Sequence, residues 1–148
     1  MERAVQEIDQ GLIVLKEKAT QLVAEVQQLL KHMKVQKLNP EDASEKRPKA
    51  LWVHLKEQPG YNTLSIVWSR VVYFHQQSKR PFYKDIPRGR GYRILQGKFM
   101  AYARGYHPEV QEGLWNYEMA FGEIRRLQSF LSQAKSLLRQ YQKAAGPI

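Results

Sequence analysis

Cysteine is absent from this chain of 148 residues. That excludes a disulfide framework and any thiolate metal site, and it fits a reducing cytoplasm, where the protein is expected. Long apolar runs are also missing, and the longest fall far short of the ~20 residues needed to cross a bilayer. The opening stretch MERAVQEIDQGLIVLKEKATQLV carries acids and no continuous apolar block followed by small residues, so no signal peptide is expected. His32, His54, His75 and His107 are too scattered to form a metal-ligand set. There is no Walker loop and no Gly-x-Ser-x-Gly turn. A nucleophilic tyrosine of the strand-nicking kind would need a histidine metal cluster beside it. Glu109, Glu112 and Glu123 fall roughly on one side of a C-terminal helix and read as exposed, solubilising acids. Neither a metal, a cofactor nor an enzymatic activity is therefore expected.

Acids are scarcest in the middle of the chain. Residues 46–106 hold thirteen Lys and Arg against only Glu57 and Asp85, a net of +11, whereas residues 1–45 carry −2 and residues 107–148 carry +1. The middle thus accounts for the whole formal charge of +10. It also holds eleven of the sixteen aromatics. Such a segment suits a nucleic acid, an acidic protein or an anionic membrane surface. The membrane reading lacks the basic amphipathic helix it would need. Nucleic acid is the expected partner: cations neutralise phosphates and release counterions, and rings offer platforms to unstacked bases.

The two ends read as helices. Val5, Ile8, Leu12, Leu15, Ala19, Leu22, Val26, Leu29 and Met33 recur at alternating steps of three and four, a heptad seam within a helix over 1–36. Ala120, Ile124, Leu127, Leu131, Ala134, Leu138 and Tyr141 repeat the steps within a helix over 108–144, with Pro108 in its first turn. Upstream, Val110, Leu114, Tyr117 and Phe121 continue an apolar face with a shift of phase. The seams can pack on each other, antiparallel, in one chain, or pair with a second copy as a homodimer. The first is expected.

Residues 39–49 read as a linker. Beyond Pro48 the period drops to two. ALWVHLK and TLSIVWSRVVYF alternate as strands, joined by a turn at Pro59-Gly60, and FYKDIP makes a shorter third strand after the turn HQQSKRP. Residues 50–87 thus form an antiparallel meander, and a short helix over 92–104 is expected from the spacing of Leu95, Phe99 and Tyr102. The fold class is α+β: one domain in which long N- and C-terminal helices pack against a small three-stranded antiparallel sheet. Trp68 alternates with Leu64, Ile66 and Val72 and reads as core. Arg70 falls among the same core-facing positions, which favours a structural role.

The stretch SKRPFYKDIPRGRGYRI (78–94) concentrates the charge. Six cations (Lys79, Arg80, Lys84, Arg88, Arg90 and Arg93) stand among Phe82, Tyr83 and Tyr92, with Asp85 the only acid. Gly89 and Gly91 would let backbone N–H groups approach a phosphate closely. The candidate nucleic-acid contacts are therefore these six cations with Tyr83, Gly89, Gly91, Tyr92, Arg70 and Lys98. Charge reversal at Arg88, Arg90 and Arg93 is expected to weaken binding much more than reversal at Arg125, Arg126 and Arg139. DNA and RNA are not separated by this chemistry. A protein-interaction adaptor, using heptad helices and a basic patch, is the alternative.

The order of SIVWSRVVYF, a basic turn, a short strand running into IPRGRGY, and a Glu-bearing helix resembles the small auxiliary mobilisation proteins of integrative conjugative elements and related plasmids. The likeness covers roughly residues 62–130, and its pattern falls on Trp68, Arg70, Arg88, Gly89, Gly91 and Tyr92. It implies a DNA-binding accessory factor that acts at an origin of transfer and helps a separate relaxase nick and move one strand.

Overall fold

The computed structural model describes residues 2–33, 50–57, 64–72 and 82–146. In these the chain runs α1 (Glu2–His32), β1 (Leu51–Glu57), β2 (Leu64–Val72), β3 (Phe82–Asp85), α2 (Gln96–Tyr102) and α3 (Pro108–Ala145). The architecture is α+β, with long N- and C-terminal helices and an antiparallel sheet of order β1-β2-β3. The 39–49 linker, the Pro59-Gly60 turn and the 75–81 turn lie outside the described residues.

Alternation builds the sheet as the period of two requires. Val53 pairs with Trp68 and Leu55 with Ile66, and Val71 of β2 pairs with Tyr83 of β3. Leu51, Val53, Leu64, Ile66 and Trp68 point to one face and are buried there. Of these, Leu51, Val53, Ile66 and Trp68 meet Val23 and Val26 of α1, Phe99 of α2, and Leu114 and Phe121 of α3 in one hydrophobic cluster. Trp68 is core, as its spacing indicates: its ring stands edge-on to Phe99 at 5.1 Å and tilted to Phe121 at 5.9 Å.

The helical seams pack on each other within the chain. Lys135 Nζ meets Asp9 at 2.5 Å, Gly11 faces Leu131, and Tyr117 donates to Glu25 at 3.1 Å. The partner's number falls as that of α1 rises, so the pair is antiparallel. Some heptad positions do not stay inside. Met33, Leu127 and Tyr141 are exposed, while Val23 and Leu30 are buried. The reason is that α1 shares its apolar side between α3 and the sheet, which turns the buried stripe away from a strict seam.

α2 is shorter than its spacing suggests, and Leu95 is 75% exposed. The preceding backbone N–H, that of Ile94, is drawn instead to a carboxylate of α3. α3 begins as expected, with Pro108 in its first turn and His107 Nδ1 accepting from the Glu109 N–H at 3.3 Å.

Tyr106 ties the end of this region to the sheet. Its hydroxyl, on a side chain 2% exposed, accepts from the Leu51 N–H at 2.9 Å. Burial pushes this phenol above its ordinary value, outweighing the opposite effect of that hydrogen bond. The folded state therefore holds the Tyr106 proton after the unfolded chain has released it, and stability falls as pH rises past about 10. Tyr106→Phe is expected to cost about 1–2 kcal/mol at neutral pH, because the buried Leu51 N–H loses its acceptor. It should also blunt the alkaline loss, and thermal melts at neutral and alkaline pH read both effects.

Candidate nucleic-acid interface

Leu114, Glu118, Phe121, Arg125 and Gln128 stand at steps of four, three, four and three along α3, so one side of the helix presents them all. All five are buried. Apolar Leu114 and Phe121 enter the core, and the ionic pair of Glu118 and Arg125 binds the sheet to the loop that follows it. Glu118 is fully buried, and Arg125 is its ion-pair partner.

The Glu118 carboxylate accepts from Trp68 Nε1 at 3.0 Å, from the Ile94 N–H at 2.7 Å, and from both terminal nitrogens of Arg125 at 3.0 and 3.1 Å. Arg125 also donates to the carbonyls of Tyr92 at 2.7 Å and Ile66 at 3.0 Å. The planar fork of arginine matches a carboxylate while its remaining N–H groups reach backbone oxygens. One pair thus fixes β2 at Ile66 and Trp68, and the basic loop at Tyr92 and Ile94. Sequence reasoning missed both residues, because charges on a long helix read as solvated. The signal was the four-three rhythm of Leu114 and Phe121, which passes directly through them.

The loop needs two glycines for different reasons. Gly89 has φ +90°, in the left-handed region that side chains disfavour. Gly122, on α3, lies where the loop crosses: a Cβ there would come within 3.0 Å of Arg93 Cβ. Gly91 shows neither constraint, since an added Cβ would make only ordinary contacts. Gly89→Ala is expected to cost about 1–2 kcal/mol and Gly91→Ala a few tenths at most. Equal thermal shifts for the two variants would contradict this reading of the loop.

The candidate cations are placed unequally. Arg90 is exposed, and its side chain makes no hydrogen bond or ion pair among the described residues. Arg88 edges a cleft between β2 and α3. Burial, together with the like charge of Arg125, pushes its guanidinium below the ordinary value against the weaker pull of Glu118. Arg93 lies with its guanidinium 5.9 Å from the Trp115 ring centroid. Lys98 is half-buried and donates to the Pro87 carbonyl at 2.7 Å, so it braces the loop from α2. Arg70 and Lys84 are direct cross-strand partners, two like charges side by side. Arg70 also stands 5.9 Å from the Tyr102 ring and is half-buried towards the end of β2. Tyr83 and Tyr92 are exposed, Tyr83 beside Trp52, His54 and Lys56 on the outer side of the sheet. Lys79 and Arg80 lie outside the described residues.

The carboxylates divide cleanly. Asp85 is bound by Lys56 at 2.5 Å, and Glu123 by Arg126, whose guanidinium holds the Glu123 carboxyl below the usual carboxylate value. Glu109 and Glu112 are exposed, as expected of solubilising acids. Among the described residues, no three His, Asp or Glu gather as a metal site, and no helix is long and apolar enough to cross a membrane. Arg125 is unsuitable as a neutral reference for charge reversal, because it is buried in the ion pair rather than displayed on the helix surface.

Searches of curated proteins and of solved structures each return no match to the chain. A protein-family model does match, over residues 5–139, and so takes in α1 as well as the 62–130 segment that carried the resemblance. With that model spanning helices, sheet and basic loop together, the chain belongs to the MobI protein family, a family of mobilisation accessory proteins.

Proposed function

We propose that this MobI protein performs its accessory role by binding DNA through the Pro87–Arg93 loop and the neighbouring cationic strand end, positioning it for a separate relaxase. One observation carries the reading. The loop is held by Glu118 and Arg125, so its own arginines, Arg88, Arg90 and Arg93, are not consumed in holding it. None of the three forms an ion pair among the described residues. The Arg70–Lys84 pair adds like charges that an external anion would relieve.

Fluorescence anisotropy with duplex DNA, single-stranded DNA and matched RNA over a range of salt tests the proposal. Binding to DNA should weaken steeply as salt rises. No detectable binding to either DNA form at low salt would remove the reading, and a clear preference for RNA would redirect it.

The homodimer belongs to this proposal through the outward side of α3, since the side of that helix facing α1 is already filled. Met119, Phe130, Leu137 and Tyr141 are exposed there. A monomer in sedimentation equilibrium at the highest soluble concentration would exclude it.

A further inference from the structure

The geometry points to the outward face of the sheet as a platform for the unpaired bases of a single DNA strand, which stack on Trp52 and Tyr83. The inference rests on the proposed DNA reading and extends it from the basic loop onto the sheet beside it.

The two faces of the sheet differ in kind. The inward face gives its leucine, isoleucine and valine side chains to the core that α1, α2 and α3 complete. The period of two places Trp52, His54 and Lys56 of β1 and Tyr83 of β3 on the other face. Between those strands β2 offers only small residues: Ser69 lies across from Trp52, Val67 from His54, and Val71 from Tyr83. The result is a groove of about 710 Å³ along the central strand, with larger side chains on both sides. Trp52 is half-buried, so its neighbours hold the ring in place, and Tyr83 is 45% exposed. Every base has a flat face that stacks on such rings, but a duplex keeps those faces inside, so only an opened strand can present them.

The charge of the groove selects the same partner. Asp85 is the only acid lining it among the described residues, and Lys56 binds that carboxylate at 2.5 Å from the far side of β2. An ammonium group has three N–H donors, so Lys56 keeps others for a phosphate. Lys84 also lines the groove and makes no ion pair among the described residues. Protein interfaces use rings as well, but lysine is depleted at them. Asp85 also lines the cleft that holds Arg88 and Gly89, so the groove ends where the Pro87–Arg93 loop begins. A strand whose phosphates lie on Arg88 and Arg90 can thus lay its next bases along the sheet.

Tryptophan emission reports on this face directly. Of the three tryptophans, Trp68 and Trp115 are buried, so Trp52 is the one a base can reach. The full chain is titrated with a short oligothymidylate, a duplex of equal length, matched oligouridylate and inorganic polyphosphate, and anisotropy of labelled DNA gives the affinities. Saturable quenching is expected with oligothymidylate, and little with duplex or polyphosphate. Trp52→Ala and Tyr83→Ala should each weaken oligothymidylate binding about tenfold and leave duplex binding within about twofold. Trp52→Phe should abolish the quenching and keep most of the affinity. Thermal melts show that the variants are folded, and Tyr83→Ala, at an exposed position, carries the test if Trp52→Ala does not fold.

Unchanged emission at saturating oligothymidylate, or equal losses of single-strand and duplex binding in Tyr83→Ala, overturn the platform. The DNA reading stands without it if either DNA form still binds, and falls with it if neither does. Stronger quenching by oligouridylate overturns the assignment to DNA. Emission that changes with protein concentration alone overturns it too, and gives the face to a second copy of the chain.

Discussion

Replacing Glu118 with leucine is expected to lower the melting temperature by about 10 °C, one of the largest effects of any single substitution in this protein. The cost does not come from lost packing, since leucine fills similar space. It comes from the Arg125 guanidinium, which is left in the interior without its counter-charge and, being arginine, cannot shed its proton. Removing one partner of a buried pair typically costs about 3–5 kcal/mol. The Trp68 Nε1–H and the Ile94 N–H would lose their acceptor as well. Arg125→Met should cost less, because Glu118 then keeps two donors, from Trp68 and Ile94. The double variant Glu118→Leu with Arg125→Met should be more stable than Glu118→Leu alone. Thermal or urea unfolding of the three variants measures this, and equal losses in the two single variants would show that the pair is not the anchor argued here.

The anchor also explains how the fold serves the loop. A three-stranded sheet is too small to be stable uncovered, and here α1, α2 and α3 cover one face of it. The ion pair uses that rigid layer to hold a short basic segment whose own sequence, rich in glycine and arginine, favours no single conformation. Binding by a preformed segment avoids the entropy of ordering it at the moment of contact.

Much of this was legible in the sequence, for physical reasons that differ by element. The strands alternate because one face is buried, so Leu64, Ile66 and Trp68 declare themselves. The helices recur at three and four because they are long and packed along their length, so α1 and α3 were evident as an antiparallel pair. The seam failed at Leu127 and Tyr141, where α3 turns between two neighbours: Leu131 faces α1 while Phe121 and Arg125 face the sheet. A pattern of one period cannot express two contact faces. The basic loop was conspicuous because its residues are contiguous. Its support was not, because Glu118 and Arg125 are distant from it in sequence and take their meaning only from backbone groups at Ile66, Tyr92 and Ile94. The bond from Lys98 to the Pro87 carbonyl was illegible for the same reason, since it depends on a contact made only in the fold.

Reversal of Arg88, Arg90 and Arg93 to glutamate is expected to weaken DNA binding at moderate salt by about a hundredfold or more. The triple change shifts the net charge by −6, so long-range attraction falls wherever the residues lie. The matched control is therefore reversal of Arg126, Arg139 and Lys143 on α3, which makes the same change of charge outside the loop. Arg125 cannot serve in it, since its reversal would break the anchor. If binding responds to overall charge, the two triple variants should lose affinity equally. If the loop is the contact, each lost phosphate neutralisation removes about 0.9 from the slope of log affinity against log salt, so the loop variant loses about 3 and the control stays near the parent value. The slope is the better discriminator, because it counts contacts rather than folding. Arg93 also rests on Gly122 and near Trp115, so a modest loss of stability in the loop variant is expected and would not by itself flatten the salt dependence. An unchanged slope in a folded loop variant would place the DNA elsewhere on the molecule.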